Sequence, residues 1–199
     1  MNNTFKLSSV FAASLLASTC ALAEQAPKWD FIQASYTTIE IDEADWIDLS
    51  GFGISGSKLI NENLFIAASY NNVSDSFHGF KVDITNLSAG IGYRHGLTAT
   101  TDFYGIASII AQDVDTYYDG EGDDGDDDTG YMLTAGVRSM LTDNFELSGS
   151  VAYGDIFDES DTSFALNAFY HFNANLSVGA SYAIADDTDT LGASVRYSF

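Results

Sequence analysis

Cysteine, proline and positive charge are all scarce in this sequence, and each shortage excludes a class of answer. Cys20 is the only cysteine, so the fold rests on neither an internal disulfide framework nor a thiolate metal site. Basic residues number seven against 29 acidic ones, a formal charge of −22. Nucleic acid is excluded as a partner, because binding it requires cations to displace counterions and this chain would repel the phosphates. Beyond Ala23 no run approaches the 18 or so apolar residues of a spanning helix, and helical periodicity is rare. The lone proline, Pro27, precedes the first expected strand, where its missing N–H costs no ladder bond.

What the chain does have is apolar and aromatic residues, 46% and 14% of the total, too many for a disordered acidic tail. High charge and high apolar content coexist when the two are sorted into separate zones. The first zone reads as a leader. Lys6 precedes an apolar stretch from Leu7 to Leu16, and Ala21-Leu22-Ala23 places small residues where a signal peptidase reads them. Residues 1–23 are expected to be a cleaved signal peptide and residues 24–199 one domain. Cys20 follows Ala17-Ser18-Thr19, which lacks the leucine of a lipidation motif.

The second zone alternates with period two in segments of about ten residues, the signal of transmembrane strands. Leu191, Ala193, Val195, Tyr197 and Phe199 alternate with Thr190, Gly192, Ser194, Arg196 and Ser198. Leu176 to Ile184, Phe164 to Phe172, Phe145 to Tyr153, Tyr131 to Val137 and Leu87 to Tyr93 repeat the pattern. The apolar members are large; the residues opposite are glycine, serine or charged. The segment 102–112 leaves its facing open, because Tyr104, Ile106 and Ile110 compete with Phe103 and Ile109.

Connections alternate too. Four are short: Asn61-Glu62-Asn63, Gly96 to Thr101, Thr142-Asp143-Asn144 and Asn173-Ala174-Asn175. Three of these share an Asn-containing triplet, a weak internal repeat the size of two strands. The other five are longer and acidic: Glu40 to Asp45, Ser74 to Lys81, Asp113 to Asp128, Asp155 to Asp161 and Asp186 to Asp189. Short periplasmic turns and longer outer loops are the outer-membrane arrangement. The expectation is an all-β, antiparallel up-and-down transmembrane barrel of ten strands, with eight as the alternative. The strands are placed at 29–40, 46–59, 64–73, 82–95, 102–112, 130–141, 145–155, 162–172, 176–185 and 190–199.

These residues resemble the small outer-membrane β-barrel proteins, the porin-like and OmpA-membrane-domain-like families. The resemblance rests on the leader, the alternating strands and a last strand ending Tyr197-Ser198-Phe199; Gly51 to Ser57 and Gly136 to Leu141 are similar to that group as well. It implies residence in the outer membrane of a Gram-negative cell, with lipid and lipopolysaccharide as neighbours. It also implies that Tyr197 and Phe199 are read by the outer-membrane assembly machinery, and it fixes no single activity.

Three groups of residues are candidates for chemistry. Arg94, Arg138, Glu146 and Arg196 fall on inward positions near the short turns, where they form either a charged constriction that sets ion selectivity or an ion-pair plug. The run Asp119, Glu121, Asp123, Asp124, Asp126, Asp127 and Asp128 offers oxygen ligands for a divalent cation. It lacks a terminal glutamate and a fixed ligand order, so a solvated surface loop is the plainer reading. His78 lies near Asp75, Ser76 and Asp83, the ingredients of a nucleophile and base. No Asp-X-His pair accompanies them, and neither catalysis nor a cofactor is expected. The function expected is a monomeric narrow, cation-leaning passive pore or a structural membrane component. The alternatives are a surface interaction protein binding a partner or lipopolysaccharide through acidic loops, and a lipid-modifying or proteolytic barrel enzyme.

Overall fold

The structure, a computed structural model, describes residues 26–41, 48–118, 121–157 and 159–199, the side chains of 121–124 excepted. The expected signal peptide lies outside these residues. Ten antiparallel strands close into a barrel in chain order: β1 (Phe31–Ile41), β2 (Asp48–Leu59), β3 (Leu64–Phe77), β4 (Phe80–Gly96), β5 (Thr101–Tyr118), β6 (Glu121–Thr142), β7 (Phe145–Ile156), β8 (Glu159–His171), β9 (Leu176–Ala185) and β10 (Thr188–Ser198). β1 pairs with β10 along its whole length, Phe31 opposite Ser198 and Ile41 opposite Thr188. Closure leaves no unpaired edge, the condition for strands to stand in lipid. Among the described residues no helix is long and apolar enough to cross a membrane.

The asparagine triplets explain the short turns. Asn61 Oδ1 accepts from the N–H groups of Asn63 and Leu64 at 2.9 Å each, and Asn173 Oδ1 does the same for Asn175 and Leu176 at 2.9 and 3.0 Å. These side chains fold the chain back on itself. The last asparagine of each triplet ties the turn to a neighbouring hairpin. Asn63 Nδ2 donates to Arg94 O, Asn144 Nδ2 to His171 O and Asn175 Nδ2 to Ser198 O, at 3.1, 2.9 and 2.6 Å. The repeat visible in the sequence is therefore a set of staples joining the short-turn end into a rim.

Around the outer face, each strand places one small residue at its waist. Ala34, Gly56, Ala68, Ala89, Ala107, Ala135, Gly149, Ala168, Ala180 and Ala193 form a closed ring. Gly56, Ala68 and Ala89 are cross-strand partners, as are Ala168, Ala180 and Ala193. Elsewhere the ring steps two residues between strands, the stagger that tilted strands require. Large apolar side chains flank the ring, with Tyr36, Phe52, Tyr70, Tyr131, Tyr153, Phe164 and Tyr182 on one side and Tyr93, Phe103, Phe145, Tyr170, Tyr197 and Phe199 on the other; all are exposed on the barrel exterior. The facing of β5, open in the sequence, is settled by burial: Tyr104, Ile106 and Ile110 point inward, Phe103 and Ile109 outward.

Two expectations need correction. Where they are described, the long acidic loops are mostly strand. Ser74 to Lys81 reduces to a His78-Gly79 turn with both residues at positive φ (49° and 83°), the backbone of a two-residue hairpin turn. Asp113 to Asp128 continues the β5–β6 ladder, with Asp113 opposite Asp127 and a register shift at Thr116/Tyr117. Aspartate and glycine are poor strand formers, but a neighbouring strand already in register overrides that preference. The second correction concerns polarity. In the upper part of β1–β5 the inward side chains are apolar: Ile39, Leu49, Val73, Val82 and Ile84 form a buried cluster with Ile41, Phe80 and Val114 against it. The outward side chains there are polar. Asn72 Nδ2 donates to Asp83 Oδ1 (2.6 Å) and Thr85 Oγ1 (3.0 Å), and Lys81 Nζ lies 2.6 Å from Asp83 Oδ2.

Candidate functional site

The residues with unusual chemistry gather inside the barrel at the short-turn end. Arg138 on β6 and Glu146 on β7 stand either side of the Thr142-Asp143-Asn144 turn. Glu146 pairs with Met140, as the turn length predicts, while Phe145 pairs with Thr142 instead of Leu141 because a bulge intervenes. Both charged side chains point inward. Arg138 Nη2 and Nε approach Glu146 Oε1 at 3.3 and 3.4 Å, and Arg196 Nη1 lies 3.9 Å from the same oxygen. None of the three side chains has exposed area. One carboxylate thus serves two buried guanidiniums, an arrangement stable only with further partners.

Those partners are present, and most were invisible in the sequence. Gln33 Oε1 accepts from Arg196 Nε and Nη2 at 3.0 and 2.5 Å. The Arg196 guanidinium stacks 3.5 Å from the centre of the Phe169 ring and 4.7 Å from Phe31; desolvated stacking of this kind stabilises a buried cation. His171 Nε2 is 3.4 Å from Glu146 Oε2, so this histidine belongs to the cluster.

Arg94, grouped with the other arginines in the sequence, stands apart. Its Nη1 is 3.1 Å from Asp102 Oδ2, and Asp102 also accepts from Trp29 Nε1 at 2.7 Å. Trp29 belongs to no strand. It rises from residues 26–30 into the lumen, 1% exposed, against Phe65, Tyr104 and the Arg138 guanidinium. Asp102 escaped sequence reading because the facing of β5 was unresolved. The signal for Trp29 was its phase, two residues before inward Phe31 and four before Gln33.

Between this floor and the apolar cluster of upper β1–β5 the inner wall carries small polar residues. Ser35, Thr37, Ser69, Ser88, Ser108, Ser181 and Ser194 point inward and are partly exposed to the lumen. Ser69 and Ser88 share a hydrogen bond of 2.7 Å across β3 and β4.

A closed, lipid-faced barrel with a polar lumen matches a known pattern: the family described as outer membrane protein beta-barrel domain covers residues 9–199. The chain belongs to this family. It is an outer-membrane protein, and the end whose turns lie next to the apolar belt, opposite the long hairpin extensions of β3 to β6, is the periplasmic one by the rule of such barrels. Similar solved structures include the NanC porin (10% identity, TM-score 0.53, covering 84% of this chain and 100% of that one). The attachment invasion locus protein Ail of Yersinia pestis is also similar (16%, 0.47, 85% and 99%), as is the N-terminal β-barrel domain of Pseudomonas aeruginosa OprF (16%, 0.43, 86% and 98%). At these identities the likeness concerns fold alone. A search of the curated proteins finds no match.

The other candidates of this outer-membrane barrel are dispersed. Asp119 lies outside the described residues, and Glu121, Asp123 and Asp124 fall in β6 with side chains not described. Asp126 and Asp127 are exposed on upper β6, whereas Asp128 Oδ2 accepts from Phe157 N at 2.6 Å and so caps the neighbouring turn. Among the described residues no group of three or more potential ligands could hold a metal. His78 occupies the β3–β4 turn with its ring against Phe77. Asp75 accepts from the backbone of Asp48 and Ser76, and Asp83 is engaged by Lys81 and Asn72. Both carboxylates are thus committed elsewhere. Tyr197 and Phe199 are exposed on the exterior at the periplasmic end, with Lys58 Nζ 5.1 Å from the Phe199 ring centre.

Proposed function

We propose that this protein is a non-enzymatic barrel, closed to solutes at rest, that serves as a structural component of the outer membrane and presents an acidic surface outside the cell. The observation that carries the reading is the absence of exposed side-chain area on Arg138, Glu146 and Arg196, because a conducting constriction keeps its charges wet. Charge sorting supports the presented surface. Among the described residues Asp30, Glu62, Asp102, Asp143 and Glu146 are the acidic ones of the periplasmic end, and the others fall in the outer parts of the hairpins, where Lys81 is the one basic residue described. Such a rim attracts cations and cationic partners. Export through a cleaved leader and reading of Tyr197 and Phe199 by the assembly machinery belong to the same proposal.

Planar-bilayer recording on the refolded chain 24–199 tests the closed state. Silence at modest voltage is expected; stable unitary steps from the unmodified protein refute it. The partly exposed serine wall favours a second reading, a barrel able to conduct once its floor is removed.

A further inference from the structure

Three luminal aromatics of the floor lie flat against the barrel wall. Phe65, Tyr104 and Phe169 each pair across the ladder with a glycine: Gly92, Gly136 and Gly179. A Cβ on those glycines would meet the Phe65 ring at 2.1 Å, Tyr104 at 2.7 Å and the Phe169 ring at 2.4 Å. The rings therefore occupy the space a neighbouring side chain would fill and leave the lumen centre to something else. That something is Trp29, the one floor aromatic carried by no strand. Its holders come from three strands. Asp102 takes the indole N–H, Arg138 stacks on the ring and donates to Lys28 O at 3.2 Å, and Arg94 Nη1 reaches Pro27 O at 3.5 Å. Residues 26–29 take part in no strand pairing, and the serine-lined wall stands above them.

We propose that the segment ending in Trp29 is a reversible plug, and that its release turns the barrel into a channel. The proposal rests on the closed resting state argued above. Opening exchanges the indole's contacts for water on Arg138, Asp102, Phe65 and Tyr104, a change confined to the floor.

The test is single-channel recording of three refolded proteins: the chain 24–199, the same chain lacking residues 24–29, and its Trp29→Ala variant. Heat-modifiable gel mobility reports folding in each case. The expected result is a silent parent, steady conductance steps from the deletion and frequent steps from Trp29→Ala. Folded but silent variants overturn the plug while leaving the closed-barrel reading intact. A parent that conducts as well as the deletion overturns both. Loss of heat-modifiable folding in both variants also overturns the proposal, since the segment is then an integral part of the barrel and not a movable plug.

Discussion

The lower and upper halves of the barrel solve the same packing problem with opposite assignments. In the lower half lipid lies outside, so the outward residues are large and apolar, and the inward ones are serine, glycine, the buried ion cluster and the floor aromatics packed around it. In the upper wall of β1–β5 water lies outside, so Asn72, Asp83 and Thr85 face out while Ile39, Leu49, Val73, Val82 and Ile84 pack within. The pleat never slips; β4 crosses from one regime to the other between Ile84 and Leu87, where Thr85 and Asn86 are both polar. Alternation thus records that two faces exist. Which face meets solvent is decided by what surrounds the barrel at that height.

The sharpest break in this contrast is Glu146→Ala, which leaves two buried guanidiniums sharing no carboxylate. Breaking a buried pair costs about 3–5 kcal/mol, and urea unfolding in detergent followed by heat-modifiable mobility should show a shift of that size. A matched pair on one face of β1 tests the boundary between the halves. Ala34→Arg, at the waist, should cost about 2–4 kcal/mol in a lipid bilayer, whereas Thr38→Arg, four residues higher, should change stability by less than about 0.5 kcal/mol. Equal costs at the two sites would erase the boundary. A smaller loss than at Glu146 or Ala34 is expected for Ile84→Val in the upper core, about 0.5–1.5 kcal/mol. No loss there would mean that the upper cluster is not a packed core.

The contrast also explains how much could be read in advance. β7 to β10 stay within the lipid regime for most of their length, so large-out and small-in follow directly from their sequence. The inward positions of Arg94, Arg138, Glu146 and Arg196 followed from the same pattern. The upper hairpins read as loops because their aspartates and glycines disfavour strands; Val82 and Ile84, within the expected strand 82–95, stand in the opposite phase to Leu87 and Ile91. The site was legible in its charges but not in their pairing. Gln33 and Phe31 reach Arg196 only through closure of β1 on β10, and Phe169 only from two strands away across Gly179 of β9; the contact between Trp29 and Arg138 joins residues far apart in the chain. Local periodicity carries no information about either.

The ring of alanine and glycine at the waist fixes how thick a membrane this barrel fits. On β7, β8 and β9 two large outward residues follow the ring on each side, as with Tyr182 and Ile184 above Ala180 and Val178 and Leu176 below it. Eight residue steps of about 3.3 Å along a strand tilted by about 40° span only about 20 Å of hydrocarbon. Placed in a thicker bilayer, the barrel must thin the lipid around it or draw polar groups inward, at a cost that grows with each ångström of mismatch. Its fit to a thin outer membrane is therefore written into the height of its apolar belt.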